Sequence, residues 1–201
     1  MSELGIIGDI HGCLTQLQEV VSKAESRVNE LVFLGDYVNR GPDSSGVINY
    51  LLALEARPEL TVHFLRGNHD AQLLDALTGD GLDMLLRMGG AATIRSYVAP
   101  PYAEVVSSQL RNAVPASHLE FLTSLRDTFS QGGVTVAHDP AKVGPIDTYL
   151  VAGHSVQQSA VPMIGESRAY IDTGCGTIAD GRLTCLFWPS RGWIQSESSC
   201  L

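Results

Sequence analysis

Three short apolar runs that break off into glycine and polar residues punctuate the first third of the chain: LGIIGD (4–9), LVFLGD (31–36) and VHFLRGN (62–68). Each is too short for a helix and rich in branched side chains, the pattern of a strand covered on both faces. Between the first two, LTQLQEVVSKAESRV places Leu14, Leu17, Val20 and Val21 at helical spacing, and SSGVINYLLALEA repeats the arrangement with Val47, Leu51, Leu52 and Leu54. The order is βαβαβ, and right-handed crossovers set the three strands parallel in one sheet. Their polar endings then meet at the carboxyl edge, where open α/β proteins carry their sites.

Residues 71–88 are predicted helical with a Gly-Asp-Gly interruption, and HLEFLTSLRDTF (118–129) is predicted as an amphipathic helix after the Pro115 turn. The last third changes character: GVTVAH, TYLVAGH, AYIDTG and RLTCLFW are strand-like runs separated by short turns. An α/β beginning followed mostly by strands predicts two sheets packed together with helices outside. With 201 residues, 44% of them hydrophobic, one domain over residues 1–201 with a real core is expected. The polar tail QSESSCL is expected to fray.

A formal net charge of -9 disfavours binding of nucleic acid by the surface as a whole, and no apolar run reaches the ~20 residues that span a bilayer. Neither a nucleic acid nor a membrane is an expected partner. The opening MSELGIIGDIHG has no basic leader, and Cys13, Cys175, Cys185 and Cys200 include no CxxC pair. Reduced thiols and a cytoplasmic location are therefore expected.

The strand endings hold Asp9 and His11 in GDIHG, Asp36 in GDYVNRG, and Asn68 and His69 in RGNHD; later endings add His138 in VAHDP and His154 in AGHS. Asp, Asn and His offer oxygen and nitrogen donors suited to Mn, Fe or Zn, and a set this large exceeds what one such ion draws from a protein. Two ions sharing one carboxylate are expected, with Asp36 as the bridge because it ends the middle strand. Asp9 and His11 then complete the first ion's ligands, and Asn68, His138 and His154 the second's. A close cation pair acidifies water and neutralises the attacking and leaving oxygens of an in-line displacement, so phosphoryl transfer to water fits best. Arg40 and Arg66, beside the ligands, are expected to clamp phosphoryl oxygens.

GDIHG, GDYVNRGPDS and LRGNHD, in this order and followed by isolated histidines, resemble the calcineurin-like metallophosphoesterases, and within them the small bacterial members of the Ser/Thr phosphoprotein phosphatase branch. GGAATIRSY, SLRDTF and YIDTGCG extend the resemblance over most of the chain. It implies an α/β fold built as a four-layer αββα sandwich of two mixed β-sheets, the same division of ligands, and His69 as general acid near the leaving group. The implied enzyme is a dinuclear metal-dependent phosphatase, with Mn2+ favoured over Fe or Zn. It would hydrolyse a phosphoprotein, phosphopeptide or small phosphoester by direct attack of a metal-bridging hydroxide. The alternative is a symmetrical bis(5'-nucleosyl)-tetraphosphate hydrolase, a family that shares the GDIHGC opening, the RGPxS continuation and GNHD. Tyr37 and Arg66 follow the protein-phosphatase pattern instead.

Three departures from that pattern matter. The second motif usually reads GDYVDRG, its second Asp polarising the catalytic histidine, whereas Asn39 stands here. Its carbonyl is expected to accept the ring N–H of His69 without stabilising an imidazolium by charge, which predicts weaker turnover of alkyl than of activated aryl phosphates. Asp139-Pro140 follows His138 where relatives usually read HAG, so Asp139 is expected to perturb the metal surroundings. The stretch from His138 to His154 is short and holds no arginine, which predicts a more open cleft.

Several residues are read without a catalytic role. His63 lies inside a strand and His118 starts a helix, so both are structural. Asp172 in YIDTG is either a partner of a ligand histidine or a turn aspartate. Cys13 is read as a small buried hydrophobe, and Trp188 and Trp193, flanking a Pro-Ser-Arg-Gly turn, as packing residues. The absence of a CX5R arrangement argues against a phosphocysteine mechanism. A nuclease is disfavoured by the charge and by a GHS without a second histidine, and an inactive scaffold by the complete donor set.

Overall fold

The computed structural model describes residues 3–102 and 106–200. The three N-terminal apolar runs become β1 (Leu4–Ile7), β2 (Glu30–Phe33) and β3 (Thr61–Phe64), linked by α1 (Leu14–Glu25) and α2 (Ser44–Glu55). The three strands are parallel, with β2 in the middle. Each strand ends two to four residues before its apolar run does, which leaves the polar endings as loops. A helical stretch follows: α3 (Asn68–Thr78), α4 (Leu82–Arg87), α5 (Ala91–Tyr97), α6 (Val106–Ala113) and α7 (Ala116–Ser124). The break between α3 and α4 falls on the predicted Gly-Asp-Gly.

The remainder is mostly strand: β4 (Thr128–Gln131), β5 (Val134–Ala137), β6 (Tyr149–Ala152), β7 (Met163–Ile164), β8 (Arg168–Tyr170), β9 (Thr184–Trp188) and β10 (Trp193–Gln195). One five-stranded sheet has the order β10-β9-β1-β2-β3 and the other β4-β5-β6-β8-β7. Both are mixed, since β9 and β10 run antiparallel to their neighbours in the first, and β4 and β7 in the second. Alternation along the strands builds two cores. Ile7, Leu31 and Phe33 face a cluster to which all seven helices contribute. Ile6 and Val32 face the other way, against Val134, Val136, Val151 and Ala169 of the second sheet. Of the four layers expected, the second helical one is represented between β5 and β10 only by a 3-10 turn, Pro140–Lys142.

The helix predicted over 118–129 stops at Ser124. Leu125 is extended, and Arg126 is drawn into a bridge with Leu65: its N–H donates to the Phe64 carbonyl, and its own carbonyl accepts from Arg66. Non-local pairing thus overrides the helical pattern and leads the chain into β4. Trp188 packs as expected, stacked 4.9 Å from the Tyr149 ring, but Trp193 stays largely exposed on its strand.

The tail does not fray over the described residues, and Leu201 lies outside them. Beyond β10 the chain runs beside α1, where Gln16 donates to the Ser198 hydroxyl and the Ser199 carbonyl and Lys23 pairs with Glu197. Cys200 forms a disulfide with Cys13. The expectation of reduced thiols is corrected for this pair, and with it the cysteine-based support for a cytoplasmic location is lost. Cys175 and Cys185 are free and buried. A pairing of residues 187 positions apart depends on where the tail returns, which local sequence does not encode. No helix among the described residues is long and apolar enough to cross a membrane.

Because the disulfide closes nearly the whole chain into a loop, Cys200→Ser should lower the unfolding free energy by about 2–4 kcal/mol in urea under oxidising conditions. The difference should vanish when both proteins are unfolded in excess dithiothreitol. Equal midpoints in oxidising buffer would show that the cross-link does not restrain the unfolded chain.

Candidate active site

The ends of β1, β2 and β3 and those of β5, β6 and β8 are brought face to face by the sheet-on-sheet core. Asp9 and His11 follow β1, Asp36 follows β2, and Asn68 opens α3 just past β3. His138 follows β5 and His154 follows β6. Seven described non-glycine residues have positive φ, and five of them are His11, Asp36, Asn39, Arg40 and His154. Left-handed backbone costs roughly 1–2 kcal/mol per L-residue, so its concentration here shows the loops held in place by their surroundings. Two glycines make room for the carboxylates. A Cβ on Gly67 would lie 2.0 Å from Asp36 Oδ1, and one on Gly153 would lie 2.1 Å from Asp9 Oδ1.

Asp36 occupies the centre. Its Oδ1 accepts from the His69 backbone N–H at 2.9 Å, while Oδ2 faces three imidazoles: His138 Nε2 at 3.5 Å, His11 Nε2 at 3.7 Å and His69 Nε2 at 4.0 Å. On one side, His138 Nε2 and His154 Nδ1 approach to 3.2 Å, and each lies 2.9 Å from Asn68 Oδ1. Donor atoms of Asp9, Asp36 and His138 fall within 4.8 Å of one another, as do those of His11, Asp36 and His69. Asp36 belongs to both groups. Asp9 is thereby grouped with His138 rather than with His11, whose Nε2 accepts from Arg40 Nη1 at 2.8 Å. The other ring nitrogen of His11 faces the Val38 carbonyl at 3.1 Å, which fixes the tautomer that leaves Nε2 as an acceptor.

The electrostatics of this cluster fit a cation. Burial, with Asp172 and Asp36 nearby, pushes the Asp9 carboxyl well up, and burial with Asp70 does the same to Asp36. Burial and Arg40 push His11 well down, and burial and His154 lower His138 to about 3. Carboxyls that resist ionisation beside imidazoles that resist protonation lack positive charge, and a divalent ion would supply it to both. His138 Nδ1 and Asp172 Oδ2 are buried without a hydrogen-bond partner. Asp172 does not reach a ligand histidine with a hydrogen bond; its Oδ1 accepts from Gly174 N in a turn, and its charge acts on Asp9.

The surroundings of His69 differ from expectation. Thr93, on α5, donates its hydroxyl to Asn39 Oδ1 at 2.8 Å and lies 2.9 Å from the Ser44 hydroxyl. With the amide oxygen so occupied, it is Asn39 Nδ2 that meets His69 Nδ1, at 2.9 Å. The carbonyl therefore does not accept the ring N–H; a hydroxyl from a separate helix has taken it. Arg40 Nη2 lies 3.2 Å from His69 Nε2. Burial, then the charges of Arg40 and His154, lower the His69 imidazole to about 4. Arg40 is further held by the Thr177 hydroxyl.

Arg66 is not drawn into the cluster. Its guanidinium donates to the Leu125 carbonyl at 2.6 Å and pairs with Asp127 at 3.3 Å. The Asp139 side chain accepts from Ala141 N, and its charge acts on the neighbouring His138. His63 pairs with Glu30, and buried His118 bonds Tyr97 and Asn49, both structural as read from sequence.

Sequence reasoning gave no role to Asp70, the last residue of RGNHD. It is buried, and its carboxylate accepts from the backbone N–H groups of Asp36, Tyr37 and Gly67 at 2.7–3.0 Å. It ties the β2 loop to the start of α3. Burial raises it to about 6 against the pull of those hydrogen bonds. Its position in the first turn of α3, three residues after the N-cap glycine, was the available signal. Asp70→Asn puts an amide NH2 against backbone donors, and should cost about 1–3 kcal/mol of stability by chemical denaturation. An unchanged midpoint would mean the two loops hold each other without it.

The calcineurin-like phosphoesterase profile matches residues 3–159. Bis(5'-nucleosyl)-tetraphosphatase PrpE (asymmetrical) of Oceanobacillus iheyensis is 34% identical over 98% of this chain and 92% of its own length. Shorter matches are to a symmetrical bis(5'-nucleosyl)-tetraphosphatase of Legionella pneumophila, 41% identical over 36% of this chain, and to serine/threonine-protein phosphatase BSL2 of Arabidopsis thaliana, 37% identical over 42%. The chain spans 26% of the first of these and 9% of the second. A metallophosphoesterase from Sphaerobacter thermophilus shares the fold, with a TM-score of 0.61 at 21% identity over 98% of this chain and 88% of its own. Donors gathered at the carboxyl edges of two facing mixed sheets and a profile match over most of the chain lead to one statement: the chain belongs to the calcineurin-like phosphoesterases.

Proposed function

We propose that the chain hydrolyses a phosphoanhydride of the bis(5'-nucleosyl)-tetraphosphate kind, using two divalent cations that share Asp36. The observation that carries the metal reading is Asp36 Oδ2, which faces imidazoles on both flanks. Asp9 and His11 would hold one ion, and Asn68, His138 and His154 the other, with Asp9 lying between the two sets because its carboxylate also comes within 4.8 Å of His138. When bound, the pair acidifies water and offsets charge on the phosphoryl oxygens, with Mn2+ favoured by the mixed shell and Fe or Zn as alternatives.

The residues around that pair divide the remaining work. Arg40, already resting on His11 and His69, is placed to donate to a phosphoryl oxygen in exchange for those contacts. As water oxygen bonds to phosphorus, the bond to the leaving oxygen breaks and that oxygen keeps the electron pair. A serine alkoxide needs a proton at this point, and its acid would be His69. Asn39 and Thr93 offer His69 Nδ1 a neutral amide and no carboxylate, so an imidazolium gains no charge support on that side of the ring. A nucleotide leaving group departs as a stabilised phosphate anion without that proton. This supports a phosphoanhydride over the phosphoseryl substrate that Tyr37 and Arg66 suggest, in keeping with the full-length similarity to PrpE.

Diadenosine tetraphosphate, p-nitrophenyl phosphate and a phosphoserine peptide should be cleaved in that order of kcat/KM, and chelation should abolish all three rates until Mn2+ is restored. Asn39→Asp should raise the alkyl-to-aryl phosphate rate ratio by up to about a hundredfold, the lower end of the usual scale of general acid–base assistance. An unchanged ratio, or a wild-type preference for phosphoserine, would overturn the leaving-group argument. Absence of any phosphoester cleavage by metal-loaded protein would overturn the reaction itself.

A further inference from the structure

Beside the metal-ligand cluster, on the flank of His138, lies a cavity of about 270 Å³ that the reaction above does not use. Its walls come from two places that the fold brings together. Arg66 and Gly67 stand just before α3, while His138, Asp139 and Lys142 follow β5. Asp127 closes the side near β4. Gly67 and His138 adjoin or belong to the donor cluster, so a substrate held there can extend into this space without leaving the protein.

The cavity carries two cationic side chains with capacity to spare. Lys142 is exposed, and no ion pair or hydrogen bond of its side chain is seen among the described residues. Asp139 Oδ1 accepts from Ala141 N and so fixes the 3-10 turn that presents Lys142. Arg66 keeps its Nε buried and unpartnered, and its ion pair is to an Asp127 side chain that is 83% exposed. Exposed pairs of this kind contribute little and exchange readily for a better anion. The two carboxylates facing the cavity are thus a solvated one and one engaged in a turn. A phosphate would find an ammonium and a guanidinium, the donor pair suited to it.

We infer that this cavity is a subsite for a second phosphoryl group, covalently next to the one at the metal cluster, with Lys142 as its specificity-determining residue and Arg66 beside it. The inference rests on the phosphoanhydride reading and makes it specific. A polyphosphate chain has an anionic group one bridge oxygen from the reacting phosphorus, whereas a phosphorylated serine or an aryl phosphate has none. The subsite therefore distinguishes substrates by what is attached to the scissile phosphoryl group. It also gives Arg66, turned away from the ligand cluster, a substrate group to hold where it stands.

The test compares wild type with Lys142→Ala and Lys142→Arg, all loaded with Mn2+ at one fixed free concentration. Lys142→Ala should lower the kcat/KM ratio of diadenosine tetraphosphate to p-nitrophenyl phosphate about tenfold, the weight of one charge-assisted hydrogen bond, and Lys142→Arg should restore most of it. Calorimetric titration gives a readout apart from turnover. Pyrophosphate should bind Lys142→Ala about tenfold more weakly than wild type, and orthophosphate less than threefold more weakly. A rate ratio unmoved by Lys142→Ala, or an equal loss for orthophosphate and pyrophosphate, would overturn the subsite while leaving phosphoester hydrolysis standing. If no phosphoester is cleaved at all, the reaction proposed above fails on its own terms, and the pyrophosphate titration still decides the subsite.

Discussion

A carboxylate walled off from water at the end of a central strand must be compensated, and the architecture around Asp36 is arranged to do so. One of its oxygens is satisfied by the first turn of α3, and the other is left to face imidazole nitrogens from three directions. Asp70 supports the same loop from behind by accepting the N–H groups of Asp36 and Tyr37. The Tyr37 ring packs against Phe64 and Phe121 while its hydroxyl donates to the Leu65 carbonyl. The loop is thus anchored through both hydrogen bonds and packing, and Asp36 keeps a left-handed backbone that would otherwise relax.

That anchoring depends on two sheets meeting face to face. β1, β2 and β3 supply their endings from one side, and β5 and β6 from the other. The apolar contact between Ile6, Val32, Val136 and Val151 holds the two edges in register. Apolar burial of roughly 25 cal/mol per Å² is the force that can offset strained loops and crowded lone pairs. Within the cluster, desolvation opposes ionisation of Asp9 and Asp36 and protonation of His11 and His138, so a cation would act on all four at once. The same low-dielectric setting that makes the arrangement costly without a cation makes it an effective place for one.

The immediate neighbours of the cluster bear on which phosphoester is cut. In this chain the partner of His69 is an amide whose oxygen is already taken by Thr93, and Arg66 points toward a neighbouring cavity rather than at Asp36. The first feature is at odds with proton delivery to an alkoxide, and the second with a clamp by Arg66 on the phosphoryl group at the cluster. Under the reading proposed here they belong together: departure of a phosphate anion needs no acid, and the cavity offers cations to the rest of a polyphosphate chain.

The sequence by itself determined the βαβαβ opening, the pairing of two sheets and the gathering of polar side chains at the strand ends, because these follow from short-range periodicity and from glycines placed at strand ends. It also marked Asp36 as central on the premise that the second strand lies between the first and third, an order that right-handed crossovers allow and the tertiary structure decided. Tertiary structure alone decided the rest. The helix predicted through 129 yields at Leu125 because Arg126 pairs with Leu65, sixty-one residues earlier. Asn39 turns its nitrogen to His69 because Thr93 reaches it from α5, and Cys13 meets Cys200 because the tail returns along α1. Each of these outcomes is set by a partner distant in the chain, and local pattern carries no information about which distant group arrives first.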